Sequence, residues 1–301
     1  MALLFDVWFP RGDKPWGTFS RLDCNDVGYS TPTQATFSLP DVQARCALTT
    51  APDGSGATVC RFTKFAADPG VSAGPKVQLA PGWTTSNRDP ITNWAGSTDG
   101  KLNASSRRWY RFKVALDPNF KFETWPNPPG SQRVALFQVH DTIDTTPADF
   151  DVSPSLWLIA EPEGGGWFRW EVTSASAAQT TSSNFTVRTL CRVKLVPGVA
   201  YEFVVYAKWA YDNTGALSIW QDRRLIYSET GAANCSNHDP ARGGSGNFSI
   251  LTCYCHDDLI DRTIYHWGLQ IGDESYTTYA QFAAACGAGP ELERVQMRGS
   301  M

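Results

Sequence analysis

One strand organises the predicted fold, and its sequence is Arg133-Val-Ala-Leu-Phe-Gln-Val-His-Asp141. Successive side chains of a β-strand point to opposite faces, so Gln138 and His140 share one face while Phe137 and Val139 share the other. The apolar side chains indicate a buried face. Two polar side chains at neighbouring positions of the opposite face predict a functional site there.

The stretches on either side of this strand are typical of an all-β protein. Polar and apolar residues alternate over short segments between residues 57 and 271, and Pro- and Gly-rich turns separate these segments. The clearest are Trp109–Leu116, Tyr201–Trp209 and Thr263–Ile271. Only Tyr276–Cys286, closed by Gly287, has a convincing helical pattern. Many short strands with almost no helix predict a single β-sandwich.

The sequence predicts three segments. Residues 1–45 are aromatic and rich in turns, which predicts an irregular N-terminal arm with one or two short strands. Residues 46–272 contain the strand signals and predict the sandwich itself. Residues 273–301 predict a short C-terminal helix and a tail.

Charge and hydropathy exclude two classes of partner. The formal net charge of the 301 residues is −4, whereas nucleic-acid binding needs a basic face. The sequence contains no run of about 18 apolar residues, so it predicts no transmembrane helix. We therefore expect neither nucleic acid nor a membrane as the partner.

Eight cysteines indicate where the protein works. An even number in a loop-rich chain favours disulfides and an oxidising destination. The segment Met1–Trp8 does not resemble a signal peptide, since it lacks a basic start and Asp6 and Arg11 interrupt the apolar run. Synthesis in the cytosol followed by release on lysis, as for a bacteriophage virion protein, would reconcile both features. Eight buried free thiols or a removed export signal are the alternatives.

Metal binding is only weakly indicated. The order Cys253-Tyr-Cys255-His256 is a poor match to the usual spacing of zinc ligands. Asp257, Asp258 and Asp261 form an acidic cluster that could bind calcium, but a solvated acidic loop is the simpler interpretation. The sequence therefore predicts neither a metal site nor a cofactor.

Five stretches in a fixed order carry a family resemblance. They are Trp109-Tyr-Arg-Phe-Lys-Val114, Val134-Ala-Leu-Phe-Gln-Val-His140, Gly198–Trp209, Gly215-Ala-Leu-Ser-Ile-Trp-Gln-Asp222 and Ile264-Tyr-His-Trp-Gly-Leu-Gln270. Their order resembles the polysaccharide lyases of the glucuronan-lyase and heparin-lyase type, over roughly residues 57–272. The resemblance implies a concanavalin A-like β-jelly roll with a groove for a glycan.

The resemblance also implies a set of roles. Such lyases neutralise the carboxylate of a uronic acid, remove the weakly acidic C5 proton with a base, and protonate the leaving oxygen. Gln138 matches the carboxylate-binding position and His140 the base, a role that suits a neutral imidazole. Lys76, Arg107 and Arg111 are predicted to hold the acidic polymer.

Two of the three polar landmarks of the resemblance are altered, which leaves two alternatives: a substitute Tyr, or lost catalysis with binding kept. An Arg-x-Glu pair on an early strand of the family corresponds here to Lys76-Val-Gln78. Heparin-lyase-type members carry a Lys and a catalytic Tyr four residues apart on the last strand, where this sequence has His266 and Gln270. We assign both to glycan binding in the groove, together with Tyr206; Tyr206 or Tyr211 would be a substitute for the missing Tyr.

Two functions therefore follow from the sequence. The first is a virion-surface structural or decoration protein that binds acidic host glycan and docks to other virion proteins or to copies of itself. The second is an active lyase that cleaves a uronate-containing polymer by β-elimination. The sequence leaves open whether the chain is an enzyme.

Overall fold

The structure is a computed structural model. It describes residues 3–16, 18–19, 21–24, 27–30, 32–66, 68, 76–80, 107–122, 134–141, 155–161, 165–178, 186–210, 213–237, 247–255 and 260–292.

Seventeen strands and three α-helices lie in these ranges. The strands are β1 (Phe5–Trp8), β2 (Arg21–Cys24), β3 (Val27–Ser30), β4 (Cys46–Thr50), β5 (Thr58–Lys64), β6 (Lys76–Ala80), β7 (Arg107–Leu116), β8 (Val134–Asp141), β9 (Leu156–Ala160), β10 (Trp167–Ala178), β11 (Thr186–Lys194), β12 (Ala200–Lys208), β13 (Ala216–Gln221), β14 (Arg224–Thr230), β15 (Ser236–Asn237), β16 (Asn247–Cys255) and β17 (Arg262–Gly272). The helices are α1 (Gln34–Phe37), α2 (Pro40–Arg45) and α3 (Tyr279–Cys286).

The described strands form two sheets that pack face to face. The eight-stranded sheet has the order β14-β13-β12-β7-β17-β5-β4, with β1 added alongside β17. The nine-stranded sheet has the order β11-β10-β9-β8-β16-β6-β2-β3, with β15 added alongside β10. This architecture confirms the predicted all-β sandwich of the jelly-roll type.

Aromatic side chains from both sheets fill the core. The ring of Phe112 on β7 stacks on that of Phe137 on β8, with centroids 4.2 Å apart, and it also lies 5.4 Å from Phe203. Trp170 packs against the same group and is fully buried. Burying rings of this size supplies much of the hydrophobic stabilisation of such a sandwich.

The first 45 residues contribute strands to both sheets. β1 pairs with β17, and β2 pairs with β6. Close pairing of β1 depends on Gly268, because a Cβ at that position, where φ is +141°, would overlap the carbonyl oxygen of Val7. The segment that the sequence predicts to be an irregular arm is thus part of the sandwich.

The C-terminal helix packs on the outward face of the eight-stranded sheet. It begins at Tyr279, since the hydroxyl of Thr278 accepts a hydrogen bond from the backbone N–H of Gln281, and it ends at Gly287 with φ of +71°. Phe282 lies against Trp109, with ring centroids 5.5 Å apart. The small apolar face of the helix is therefore covered.

The cysteines whose side chains the structure describes do not form the predicted disulfide framework. The seven whose side chains are described are free thiols, and six of them are buried. Burial raises the pKa of Cys24 to about 12 and that of Cys191 to about 11. A large sandwich core accepts thiols as small apolar side chains, so the high cysteine count has a packing explanation.

No helix in the described ranges is long and apolar enough to cross a membrane.

Candidate functional site

Gln138 lies on the outward face of the nine-stranded sheet. Its neighbours Phe137 and Val139 are fully buried in the core between the sheets, as the alternation in the sequence predicts. Gln138 pairs with Trp157 on β9 and with Ile250 on β16. The amide thus stands in the middle of the sheet, on the side turned away from the core.

Four neighbouring strands build this outer face, by which we mean the outward side of β8, β9, β10 and β11. Cross-strand register places Gln138, Trp157 and Glu171 in one row, and Ile159, Arg169 and Arg192 in the next. The core-facing residues between them, such as Leu158, Phe168 and Trp170, are fully buried between the sheets.

Charges on the outer face are arranged in pairs. Arg169 Nε lies 2.9 Å from Glu171 Oε2, and Arg192 Nε lies 2.8 Å from Glu161 Oε1. Both carboxylates are buried, which makes the paired cations necessary because an isolated buried charge is costly. The face therefore presents fixed dipoles and charges next to Gln138.

The part of the outer face around Gln138 is screened from solvent. Gln138 is 3% exposed, Trp157 6% and Glu171 4%, although all three point away from the core. Hydrogen bonds and charges act more strongly where water is excluded. An amide donor in such surroundings is well suited to bind a carboxylate.

His140 and Lys76 occupy strands of the same sheet. The backbone of His140 pairs with Phe248 of β16, and that of Lys76 pairs with Tyr254 at the other end of β16. Their side chains lie outside what the structure describes, so their roles stay predictions. The topology does bring the strands that carry Lys76, Gln138 and His140 together.

The sequence interpretation missed β16, which lies beside the strand that carries Gln138. It stands between β6 and β8, whereas β17, which the resemblance identifies as the last strand, belongs to the opposite sheet. The sequence of residues 229–250 is rich in Gly, Asn and Ser and predicts a loop, which hides the beginning of β16. The apolar positions Leu251 and Cys253, both fully buried, are the alternation that marks it.

His266 is a core residue, which corrects its assignment to the groove. It is fully buried, its ring centroid lies 4.9 Å from that of Phe62, and its Nε2 is 3.3 Å from the carbonyl oxygen of Thr252 in the other sheet. A bulge between His266 and Gly268 shifts the alternation of β17. His266 consequently faces the core while Gln270, four residues later, faces outward.

Burial also makes His266 a pH-dependent element of stability. Desolvation lowers the pKa of its imidazole from 6.5 to about 3, so the folded protein holds it neutral. The unfolded chain takes up the proton below about pH 6.5, and the stability that His266 contributes above that pH is lost as pH falls towards 3. We expect His266→Phe to reduce the pH dependence of the unfolding free energy between pH 4 and 6 by about 1.4 kcal/mol per pH unit. Urea unfolding of both proteins across this range measures it, and identical slopes would contradict the assignment.

Arg111 and Gln270 also need correction, because both lie on the outward face of the eight-stranded sheet. Arg111 Nη1 donates to Gln270 Oε1 at 2.7 Å, and Arg111 Nε donates to Glu202 Oε2 at 2.9 Å. Gln270 Nε2 donates to Asp6 Oδ1 at 2.6 Å. Arg111 Nη1 also donates to the carbonyl oxygen of Cys286 at the end of α3. These side chains fasten β1 and α3 to the sheet, so they are not free to hold a polymer.

Tyr206 and Arg107 belong to that same sheet. The Tyr206 ring lies 4.8 Å from that of Trp109, within the aromatic cluster that α3 covers. Arg107 is half-buried at the start of β7 and pairs with Lys208. Neither residue is brought to the face that carries Gln138, and Tyr211 lies outside the described residues.

No metal site is found in the part of the chain that the structure describes, where no three His, Cys, Asp or Glu side chains are close enough to hold an ion. Asp261 accepts a hydrogen bond from the backbone N–H of Ala66 at 2.7 Å. Asp257 and Asp258 lie outside the described ranges, so the acidic cluster as a whole is not described.

Comparison with known families agrees with this arrangement of strands. A family model described as "Polysaccharide lyase" matches residues 16–250, which is most of the chain. The chain belongs to the polysaccharide lyase family. In this polysaccharide lyase family member, the matched residues include β8, which carries Gln138 and His140, and most of the sheet around it. A search of curated proteins found no match.

Solved structures show the same fold at low sequence identity. The endo-β-1,4-glucuronan lyase of the fungus Trichoderma reesei is 15% identical, with a TM-score of 0.52 over 77% of this chain and 91% of that one. A family 7 alginate lyase, solved with His-to-Asn and Tyr-to-Phe substitutions in complex with a substrate, is 10% identical, with a TM-score of 0.53 over 91% of this chain and 99% of that one. At such identities the likeness establishes a common jelly roll for this family member.

Proposed function

We propose that this protein is an active polysaccharide lyase that cleaves a uronate-containing polymer by β-elimination. One observation carries the proposal: in a member of the polysaccharide lyase family, Gln138 stands on the outward face of the nine-stranded sheet, two residues before His140 on the same strand. Solved relatives of the same fold act on glucuronan and alginate, which are polymers of uronic acids.

The proposed steps use groups of this chain alone. The Gln138 amide N–H groups donate to the uronate carboxylate and stabilise the charge that develops when the C5 proton leaves. His140, in its neutral form, takes that proton. The electron pair then forms the C4–C5 double bond as the bond to the glycosidic oxygen at C4 breaks, and an acid protonates the leaving oxygen.

His266 and Gln270 stand where the resemblance places a Lys and a Tyr, but they give no ground for lost catalysis. Both residues belong to β17 in the eight-stranded sheet, so they do not report on the site at all. Lys76-Val-Gln78 on β6 remains an altered landmark. β16 is one of the two strands that pair with β8, and it carries Tyr254.

Tyr254 is therefore the candidate for the acid. Its backbone pairs with Ala135, an outward-facing residue of β8, and with Lys76 of β6. We expect Tyr254→Phe to lower kcat about 10²-fold or more, since a positioned acid contributes about that much. Single-turnover kinetics measures the effect, with Tyr206→Phe as the matched control on the opposite sheet. Equal rates for the Tyr254 variant and the native protein would contradict the role.

An absorbance assay tests the proposed function. The protein is incubated with glucuronan, alginate and heparin, and the ultraviolet absorbance of the unsaturated uronate product is followed. A signal on at least one polymer is expected. Absence of a signal on each of the three would overturn the proposal for these substrates.

A virion-surface protein that binds acidic host glycan without cleaving it is the second candidate. The family fold favours it, since that fold supports glycan binding as well as cleavage. The cysteines whose side chains are described form no disulfide, so they add no support to it. Mass spectrometry of virus particles purified from a lysed culture of the source of this sequence tests it: the protein is expected in the particles, and its absence would exclude this candidate.

A further inference from the structure

Trp167 marks a second feature of the outer face. It is 43% exposed, and it is the only aromatic side chain among the exposed large hydrophobic residues of the described ranges. Three cations surround it on the same face, and we call Trp167, Arg169, Arg192 and Lys194 the Trp167 patch. An indole with an exposed flat face beside cations offers a surface on which a ligand ring can stack, which the other exposed apolar side chains, all aliphatic, do not.

Strand register fixes where the patch lies. Trp167 pairs with Lys194, and Arg169 pairs with Arg192, while Phe168 and Val193 between them face the core. Trp167, Arg169 and Glu171 alternate along β10, and Glu171 is in the row of Trp157 and Gln138. The patch is therefore on the same face as Gln138, at a distance of roughly 17 Å from strand spacing and rise.

The chemistry of the patch fits one class of ligand. Lys194 Nζ lies over one face of the Trp167 ring, 5.7 Å from the ring centroid, so a cation stands directly against the exposed indole. The Arg192 side chain is 60% exposed and uses its Nε towards Glu161, which leaves the other edge of the guanidinium turned to solvent. A sugar ring stacked on the indole would bring its carboxylate within reach of both cations.

We infer that the Trp167 patch is a binding subsite for an acidic sugar of the polymer, several sugar units away from Gln138. The inference rests on the proposed function for the class of substrate, but it concerns binding and not cleavage. One flat aromatic surface flanked by cations suits a chain of uronates better than a protein partner, which needs a contact area of about 800 Å² on each side.

Affinity electrophoresis tests the inference directly. Native protein and variants are run in gels that contain alginate or glucuronan, with a neutral polysaccharide gel for comparison. We expect Trp167→Ala and Lys194→Ala each to weaken binding to the acidic polymer about five- to tenfold, and Trp167→Phe to retain most of it. Lys14→Ala is the matched control, since Lys14 Nζ also lies near an indole, 5.9 Å from the Trp16 ring, away from this face.

The outcomes separate this subsite from the lyase activity. Weaker binding of the Trp167 and Lys194 variants supports the subsite even if no polymer gives an absorbance signal. Unchanged binding of both variants overturns the subsite and leaves the lyase proposal standing if the native protein cleaves. Failure of the native protein to bind either acidic polymer, or an equal loss in the Lys14 variant, also overturns the subsite.

Discussion

His140→Ala is expected to lower kcat for β-elimination by about 10²- to 10⁴-fold, since His140 is the proposed base and general bases contribute about that much. Gln138→Ala should lower kcat by about 10²- to 10³-fold, the usual cost of removing one donor that stabilises developing charge. Initial rates of absorbance increase on the preferred polymer measure both effects.

Gln138→Glu gives a sharper form of the same experiment. It keeps the shape of a side chain that is 3% exposed, but it places a carboxylate where the uronate carboxylate should bind. Repulsion between the two should raise KM as well as lower kcat. Gln221→Glu, on a half-buried position of β13 in the other sheet, is the matched control and should keep the native rate.

The folded fraction of each variant must be measured together with its rate. Because Gln138 is buried, its variants can lose activity through unfolding, and circular dichroism at the assay temperature distinguishes the two causes. A folded His140→Ala variant that cleaves at the native rate would exclude His140 as the base. A folded Gln138→Glu variant with native KM would exclude Gln138 from carboxylate binding.

The sequence predicted those parts of the fold in which local alternation is undisturbed. In β8, residues 137–139 alternate without interruption, so the outward position of Gln138 could be predicted correctly. The same rule applied to β17 places His266 and Gln270 on one face, and there it fails because one bulge reverses the alternation between them. A bulge leaves no reliable mark in a single sequence.

The order of the strands within each sheet could not be predicted from local sequence patterns. Residues 247–255 form the neighbour of β8, yet more than 100 residues separate the two strands along the chain, and no local signal connects them. The resemblance implies a last strand that carries site residues, and the sequence interpretation assigned this strand to the apolar segment Thr263–Ile271. The structure assigns it to the opposite sheet, and for this reason Tyr254 escaped notice while Gln270 was chosen.

Arg111→Ala is expected to lower the free energy of unfolding by about 3–5 kcal/mol, because it removes one partner from a buried ion pair. The Arg111 side chain is 7% exposed and that of Glu202 17%, so the carboxylate would be left largely buried and unpaired. The variant also loses the contact of the guanidinium with the Trp8 ring, 4.1 Å away, and the hydrogen bonds to Gln270 and to the end of α3. Urea denaturation followed by tryptophan fluorescence measures the change.

Two further variants decide whether the loss of stability in Arg111→Ala comes from its network of contacts with Glu202, Gln270 and α3 or merely from the loss of a positive charge. Arg11, whose side chain is 46% exposed and pairs with Asp6, carries the same charge at the edge of the network, and Arg11→Ala should cost less than about 1 kcal/mol. The double variant Arg111→Met with Glu202→Leu should recover much of the stability, because no charge remains buried without a partner. If Arg111 instead bound the polymer, Arg111→Ala would remain as stable as the native protein and lose affinity for alginate or glucuronan. Its contacts with Glu202, Gln270 and Cys286 argue for the first result, since a cation already engaged on three sides beneath α3 has no free edge to offer a sugar.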